Sequence, residues 1–157
     1  MADRPAWSEE RAAQIIDAHR HREGAALPML HAVQAAFGYV PKDVLPMVAD
    51  ALNLSRAEIY GIVSFYHDFR TAPAGRHVLR LCRAEACQSQ GGDALADRVK
   101  AKLGIDWGET TRDGALTLEP VFCLGLCACA PAAMIDGRPV GRLDAARVDA
   151  LAKAGRP

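Results

Sequence analysis

The sequence predicts an α+β chain in two parts: a small helical bundle over residues 1–72, then helices packed on a small sheet over 73–157. Three observations predict it. Up to about Phe69, apolar residues recur at spacings of three and four between helix-start and helix-stop signals. At Thr71-Ala-Pro-Ala-Gly75 the composition changes to that of a linker. Beyond it, short β-prone runs alternate with helical periodicity and turn dipeptides.

The first part reads as four short helices. Ser8, followed by Glu9 and Glu10, starts the first; Ile15, Ile16 and His19 share a face, and Gly24 is expected to close it. Pro28 suits the start of the second, in which Leu30, Val33 and Phe37 recur and Gly38 stops the run. Asp43 is placed to cap a third, with Val44, Met47, Val48, Ala51 and Leu52 facing inward and Pro46 tolerable in its first turn. Ser55-Arg-Ala-Glu58 is a capping-box pattern opening a fourth, with Ile59, Ile62, Val63 and Tyr66 on its buried side. Brief connections between four such helices describe a bundle.

In the second part, His77 to Cys82 is a short β-prone run. Gly91-Gly92-Asp93 leads into a helix whose Leu95, Val99 and Leu103 fall four apart, stopped by Gly104. Asp113-Gly114 signals a turn before a strand from Leu116 to Val121. Ala132 to Ile135 reads as another strand, with Asp136-Gly137 as the hairpin turn after it. Asp144 caps a last helix carrying Val148 and Leu151, with Gly155 beyond its end. The order is β-α-β-β-α.

Composition narrows the function classes. Nineteen Lys and Arg balance nineteen Asp and Glu, so no basic field draws nucleic acid or anionic lipid. No apolar run approaches the roughly 20 residues that span a bilayer, and Met1 to Glu10 lacks the apolar stretch of a secretion signal. A cytoplasmic chain with reduced thiols and no transmembrane segment is the expectation.

All five cysteines lie in two stretches, Cys82-Arg-Ala-Glu-Ala-Cys87 and Cys123-Leu-Gly-Leu-Cys127-Ala-Cys129, with 35 residues between Cys87 and Cys123. Thiolates are soft ligands for zinc, cuprous copper or iron–sulfur clusters. Each pair follows a predicted strand, so loops leaving adjacent strand ends would bring the pairs together. Spacing leaves three readings open. Gaps of four and three residues within the pairs do not exclude a zinc knuckle. They also suit a two-iron, two-sulfur cluster, whose ligands surround a larger object; Gly125 would then let backbone amides approach cluster sulfides. The third reading is a thiol-redox or structural role, but the first gap is not the two-residue spacing of a thioredoxin redox site.

Several motifs in order resemble one family. They are Leu30-His-Ala-Val-Gln34 with Gly38-Tyr39-Val-Pro41, Ile59-Tyr-Gly61-Ile-Val-Ser-Phe65-Tyr66, Cys82-x4-Cys87, and Cys123-Leu-Gly-Leu-Cys127 followed by Ala130-Pro131. From about Leu27 onward the chain resembles the thioredoxin-like [2Fe–2S] subunits of flavin-containing NAD(H) oxidoreductases, the 24 kDa or E-type subunit of complex I and its relatives. Within that family, His67-Asp-Phe69 with Leu81-Cys82-Arg-Ala-Glu-Ala-Cys87-Gln looks closest to the gamma subunit of soluble, molybdenum-containing NAD-dependent formate dehydrogenases.

The resemblance implies a set of roles. Cys82, Cys87, Cys123 and Cys127 would ligate one [2Fe–2S] cluster. The second part would be a thioredoxin-like [2Fe–2S] ferredoxin domain, while the helices dock onto a flavoprotein partner carrying FMN and the NAD site. A molybdenum-containing formate dehydrogenase large subunit would belong to the same complex. This chain would then be a non-catalytic subunit for electron transfer, passing single electrons to and from the partner's FMN. The sequence agrees in one respect: it has no Gly-x-Gly-x-x-Gly and no Gly-x-x-x-x-Gly-Lys loop, so NAD binding by this chain alone is not expected. The alternatives are the equivalent subunit of NADH:quinone oxidoreductase or of an NAD-linked bidirectional hydrogenase, and, in another class, a zinc-stabilised interaction module.

The remaining residues of interest have plainer readings. Cys129 is expected to be a small residue beside the cluster loop; the rival is exchange with Cys127 as ligand, or a redox pair with it. His19, His21, His31, His67 and His77 are expected at the surface or partly packed rather than as ligands of the Rieske kind. Phe65-Tyr66 is expected to be core, with the flavoprotein interface as alternative. Arg83 and Glu85 are expected to be solvated loop residues.

Overall fold

A computed structural model describes residues 6–154. The chain divides into two compact units, the first ending at Pro73 and the second beginning at Ala74.

The first unit holds four helices, α1 (Glu9–His19), α2 (Ala26–Phe37), α3 (Val44–Leu52) and α4 (Arg56–Phe65). Each start has a local cause. The Ser8 hydroxyl accepts from the Arg11 N–H, and Ser55 and Glu58 complete the capping box in both directions. Pro28 and Pro46 are each the third residue of a helix, where the missing N–H falls among donors that have no intrahelical partner. The core is Ala12, Ile15 and Ile16 of α1 against Met29, Leu30, Val33 and Phe37 of α2, with Val44, Val48, Ile59 and Val63 closing it.

Motif residues here have structural jobs. The Gln34 carboxamide donates to the Asp68 carbonyl and accepts from the Arg70 N–H, both at 2.7 Å. His31 lies against the Phe69 ring, with centroids 4.8 Å apart. Together they strap the segment after α4 onto α2.

Two expectations need correction. α1 ends at His19, not at Gly24, which lies in the following turn. After Ile16 the run turns polar, so no residue continues the buried stripe; the His19 ring nitrogen meets the Ile15 carbonyl instead. Tyr66 is not core. The backbone leaves the helix there in an extended conformation, and Tyr66 and Phe65 are 44% and 73% exposed.

The second unit is a four-stranded sheet of order β2-β1-β3-β4 with helices packed on it. In chain order its elements are β1 (His77–Cys82), α5 (Glu85–Ser89), α6 (Gly92–Leu103), β2 (Leu116–Val121), a 3-10 turn (Cys127–Cys129), β3 (Ala133–Ile135), β4 (Arg138–Val140) and α7 (Ala145–Ala154). β1 and β2 are parallel, and β3 is antiparallel to both β1 and β4. Leu79, Leu81, Leu116 and Leu118 of the parallel pair pack with Val99 and Leu103 of α6 and Val148 of α7.

Asp136 and Gly137, at φ of 48° and 80°, form the two-residue hairpin turn that positive φ at both positions permits. The Asp144 carboxylate accepts from the Arg147 N–H at 2.8 Å, capping α7. The expected Gly155 stop lies outside the described residues. Two elements were not expected: α5, too short to show a period, and β4, whose Pro139 reads as a break but is accommodated on an edge strand. No helix among the described residues is long and apolar enough to cross a membrane.

Candidate metal centre

The parallel ladder positions the cysteines. Cys82 is the last residue of β1 and pairs in register with Val121, the last of β2. Both cysteine loops therefore leave the same end of two adjacent strands. Around them Ala84, Val121, Leu124, Leu126 and Ala130 pack on Cys82, Cys87 and Ala132 in a small apolar cluster.

The first loop is buried and tied down. Cys82 and Cys87 are 5% and 2% exposed. The Cys87 N–H donates to the Ala84 carbonyl at 2.9 Å, and the Gln88 carboxamide donates to the Arg83 carbonyl at 2.8 Å. Arg83 pairs with Asp93 at 3.1 Å and lies over the Trp107 ring, 5.4 Å from its centroid. Its expected reading as a solvated residue is corrected: the guanidinium is anchored on α6 and Trp107, and its Nε is buried. Glu85 is exposed, as expected. At Gly92 a Cβ would stand 2.6 Å from the Cys87 carbonyl oxygen, so only glycine lets α6 start this close to Cys87.

The second loop is open. Cys123 and Cys127 are exposed, and their sulfurs are 3.7 Å apart. Two thiolates about 2.3 Å from one tetrahedral metal ion stand about 3.8 Å apart, so this pair already has the spacing of two ligands on one ion. Cys123 has a φ of 89°, a left-handed conformation costing a non-glycine residue about 1–3 kcal/mol. The strain aims its sulfur to accept from the Gly125 N–H at 3.4 Å. Phe122, next to it, is 73% exposed.

The sulfurs perturb one another. Burial alone would raise the Cys82 thiol, but the Ala84 amide, the Cys87 thiol and the Leu124 and Cys123 amides outweigh it and lower it. Burial, then the hydrogen bond to Cys82, raises Cys87. Cys127 is raised by its hydrogen bond to Cys123, then by the charge of Cys123. Full ionisation of thiols this crowded requires a positive centre among them. Among the described residues, no group of three or more His, Cys, Asp or Glu converges as a single-ion site. The thiols come as two pairs, with amides aimed at sulfur.

This arrangement has relatives. Residues 12–156 match the family model described as thioredoxin-like [2Fe–2S] ferredoxin. The chain belongs to that family. It is 42% identical over 135 residues to the second E-type subunit of the NADH-quinone oxidoreductase of Rhizobium meliloti (strain 1021), covering 86% of this chain and 80% of the relative. It is 35% identical over 135 residues to the HndA subunit of the NADP-reducing hydrogenase of Solidesulfovibrio fructosivorans, covering 86% and 79%. The crystal structure of an NAD+-reducing [NiFe]-hydrogenase in the H2-reduced state matches with a TM-score of 0.70 and 34% identity, over 83% of this chain. This chain spans 22% of that hydrogenase chain. The family match extends further towards the amino terminus than Leu27, where the expected resemblance began, and takes in α1 from Ala12.

The cofactor of a thioredoxin-like [2Fe–2S] ferredoxin is a [2Fe–2S] cluster, and the donor set here fits one: two close thiol pairs, one buried and one open, amid backbone N–H donors. The histidines stand apart from this set. His77 pairs with Asp136 at 2.6 Å, His19 and His31 are engaged in the helical unit as described, and His21 and His67 are exposed. Cys129 is half-buried in the 3-10 turn, against Gly141. Sequence reasoning missed Gly92, Gly141 and Trp107 as residues shaping the loops. Gly92 was visible only as a helix lead, and nothing in the sequence ties Gly141 or Trp107 to a cysteine.

The largest groove in the helical unit, about 630 Å³, is lined by Arg20, Arg22, Leu27, Leu54, Ile62 and Tyr66 among others, and by no cysteine.

Proposed function

We propose that this chain is a one-electron relay in an NAD-linked oxidoreductase complex, holding its [2Fe–2S] cluster on Cys82, Cys87, Cys123 and Cys127. The observation that carries the reading is the pairing of those thiols at the ends of adjacent parallel strands, with Cys123 and Cys127 at the sulfur spacing of two ligands on one ion. Cys82 and Cys87 hold one iron, and Cys123 and Cys127 the other. Bound there, the cluster supplies a site that accepts and returns single electrons. The amides of Ala84, Leu124 and Cys123 at Cys82, and of Gly125 at Cys123, stabilise negative charge on sulfur and so help set the potential.

The electrons come from, or go to, FMN in a flavoprotein partner that also holds NAD. Residues 1–72 dock this partner. Tyr60 and Phe65 on α4, 64% and 73% exposed, support a contact surface there. We further propose that the complex is a formate dehydrogenase with a separate molybdenum-containing subunit, on the strength of the resemblance around His67-Asp-Phe69 and Leu81 to Gln88. A second reading, as the equivalent subunit of an NADH-quinone oxidoreductase or an NAD(P)-linked hydrogenase, is favoured by the names of the relatives above.

The test is to purify the complex through this chain, identify the large subunit that accompanies it, and reduce it with formate, NADH or hydrogen. Under electron paramagnetic resonance, a [2Fe–2S] signal reduced by both formate and NADH supports the first reading. Reduction by NADH with no formate-oxidising partner present supports the second. Zinc in place of iron and sulfide overturns both.

A further inference from the structure

The open ligand loop has one strap across its back, and a single side chain holds the strap. The Cys127–Cys129 turn runs on through Ala130 to β3. Alongside it lies the connection from β4 to α7, residues 141–143. The Arg142 N–H donates to the Cys129 carbonyl at 2.6 Å, and the Leu143 N–H donates to the Pro131 carbonyl at 3.0 Å. Gly141 closes against Cys129 itself: a Cβ at 141 would stand 2.7 Å from the Cys129 Cβ and 2.9 Å from its carbonyl oxygen. Arg142 adopts a φ of 52°, a conformation a non-glycine residue holds only when its surroundings compel it.

What compels it is Arg147. From the first turn of α7, one guanidinium nitrogen donates to both the Gly141 and Arg142 carbonyls, at 3.0 and 3.1 Å. The base of Arg147 is fixed in turn, because its N–H donates to Asp144 and Leu143 beside it is buried.

We propose that Arg147, acting through Gly141 and Arg142, is a positioning residue for the ligand loop that carries Cys127. It touches no sulfur. It holds the carbonyls of the strap, the strap holds Cys129, and the turn beginning at Cys127 is held in consequence. The inference rests on the assignment of Cys127 as a ligand. It also gives Cys129 a role as the packing surface that meets the strap, rather than as a fifth ligand.

The experiment uses the full-length, cluster-loaded chain with Arg147→Ala, Arg147→Lys, Gly141→Ala and Arg98→Ala. Arg98→Ala is the stability control, since it removes the α6–α7 ion pair with Asp149 and leaves the strap alone. Three readouts are taken: the electron paramagnetic resonance line shape of the reduced chain, its midpoint potential, and the rate of iron loss to a chelator. Arg147→Ala should shift the line shape and potential and speed iron loss by about tenfold, the usual scale for removing an outer support of a metal site. Arg147→Lys should restore part of this, having one donor group where the guanidinium has several. Gly141→Ala should do at least as much as Arg147→Ala. Arg98→Ala should lower thermal stability with all three readouts unchanged.

Wild-type line shape, potential and iron loss in Arg147→Ala would overturn the proposal, as would equal shifts in Arg98→Ala. Should Gly141→Ala fail to fold, the Arg147 and Arg98 variants decide alone, since both alter exposed side chains. Cys127→Ser run beside them separates the two levels. An unaltered cluster in that variant removes the ligand assignment, whereas an altered cluster with an unaltered Arg147→Ala removes only the strap.

Discussion

Cys82 and Val121 face each other in register at the ends of two parallel strands. The chain continues from the first into a buried loop and from the second into an open one. This single pairing makes two distant cysteine stretches into one site, and most of the consequences below follow from the difference between the two loops.

The open pair should be more sensitive to substitution by identity than by neighbourhood. Cys127→Ser is expected to lose or alter the visible and paramagnetic spectra of the cluster, while Cys129→Ser keeps both. Iron and sulfide per chain, with both spectra, check this. Loss of the cluster in the Cys129 variant would reverse the assignment of the two residues.

The buried loop should be intolerant of bulk. Gly92→Ala would press a methyl group on the Cys87 carbonyl, backbone that cannot swing aside as a side chain can. Overpacking of this kind costs about 1–3 kcal/mol. Urea denaturation of the metal-free chain should show it, and iron content after reconstitution should fall in parallel.

Acid stability should depend on Asp149. Hydrogen bonds from Arg98, then Lys102, hold its carboxyl far below the usual carboxylate range. A carboxylate depressed in the folded state contributes fully above its unfolded value, near about 3.9, and the contribution is lost as pH falls towards the folded value. Asp149→Asn should therefore be less stable than wild type at pH 7, with the gap narrowing steadily below about pH 4. Urea midpoints across that range test the sign; a gap that widens in acid would refute it.

The exposed aromatic face of α4 should matter to assembly and not to folding. Phe65→Asp removes a side chain that is mostly in water, so stability should stay within about 0.5 kcal/mol of wild type. Recovery of the flavoprotein by co-purification should drop sharply. Undiminished recovery would move the docking surface elsewhere.

Much of this was legible in the sequence, and unevenly. The capping box at Ser55, the strand limits at His77–Cys82 and Leu116–Val121, and the Asp136-Gly137 turn are written in local chemistry, and the structure reproduces them. The closeness of the two cysteine loops followed from strand placement. What local chemistry does not encode is the partner of an isolated residue. Arg83 beside a ligand reads as a loop charge until Trp107 and Asp93, distant in sequence, are brought beneath it. Tyr66 fits the helical period but sits where the helix has already ended. Gly141 and Cys129 are separated by the whole β3–β4 hairpin, and no periodicity joins them.

The register of β1 against β2 has one last consequence, for how the protein is made. Neither loop alone presents four thiols. The complete set exists only after the chain has crossed over α6 and the two strands have zipped together. A nascent chain stalled before β2 can offer iron the Cys82–Cys87 pair and nothing more. Full cluster assembly thus comes after folding of the second unit, and the colour of the preparation serves as a count of the chains that have folded.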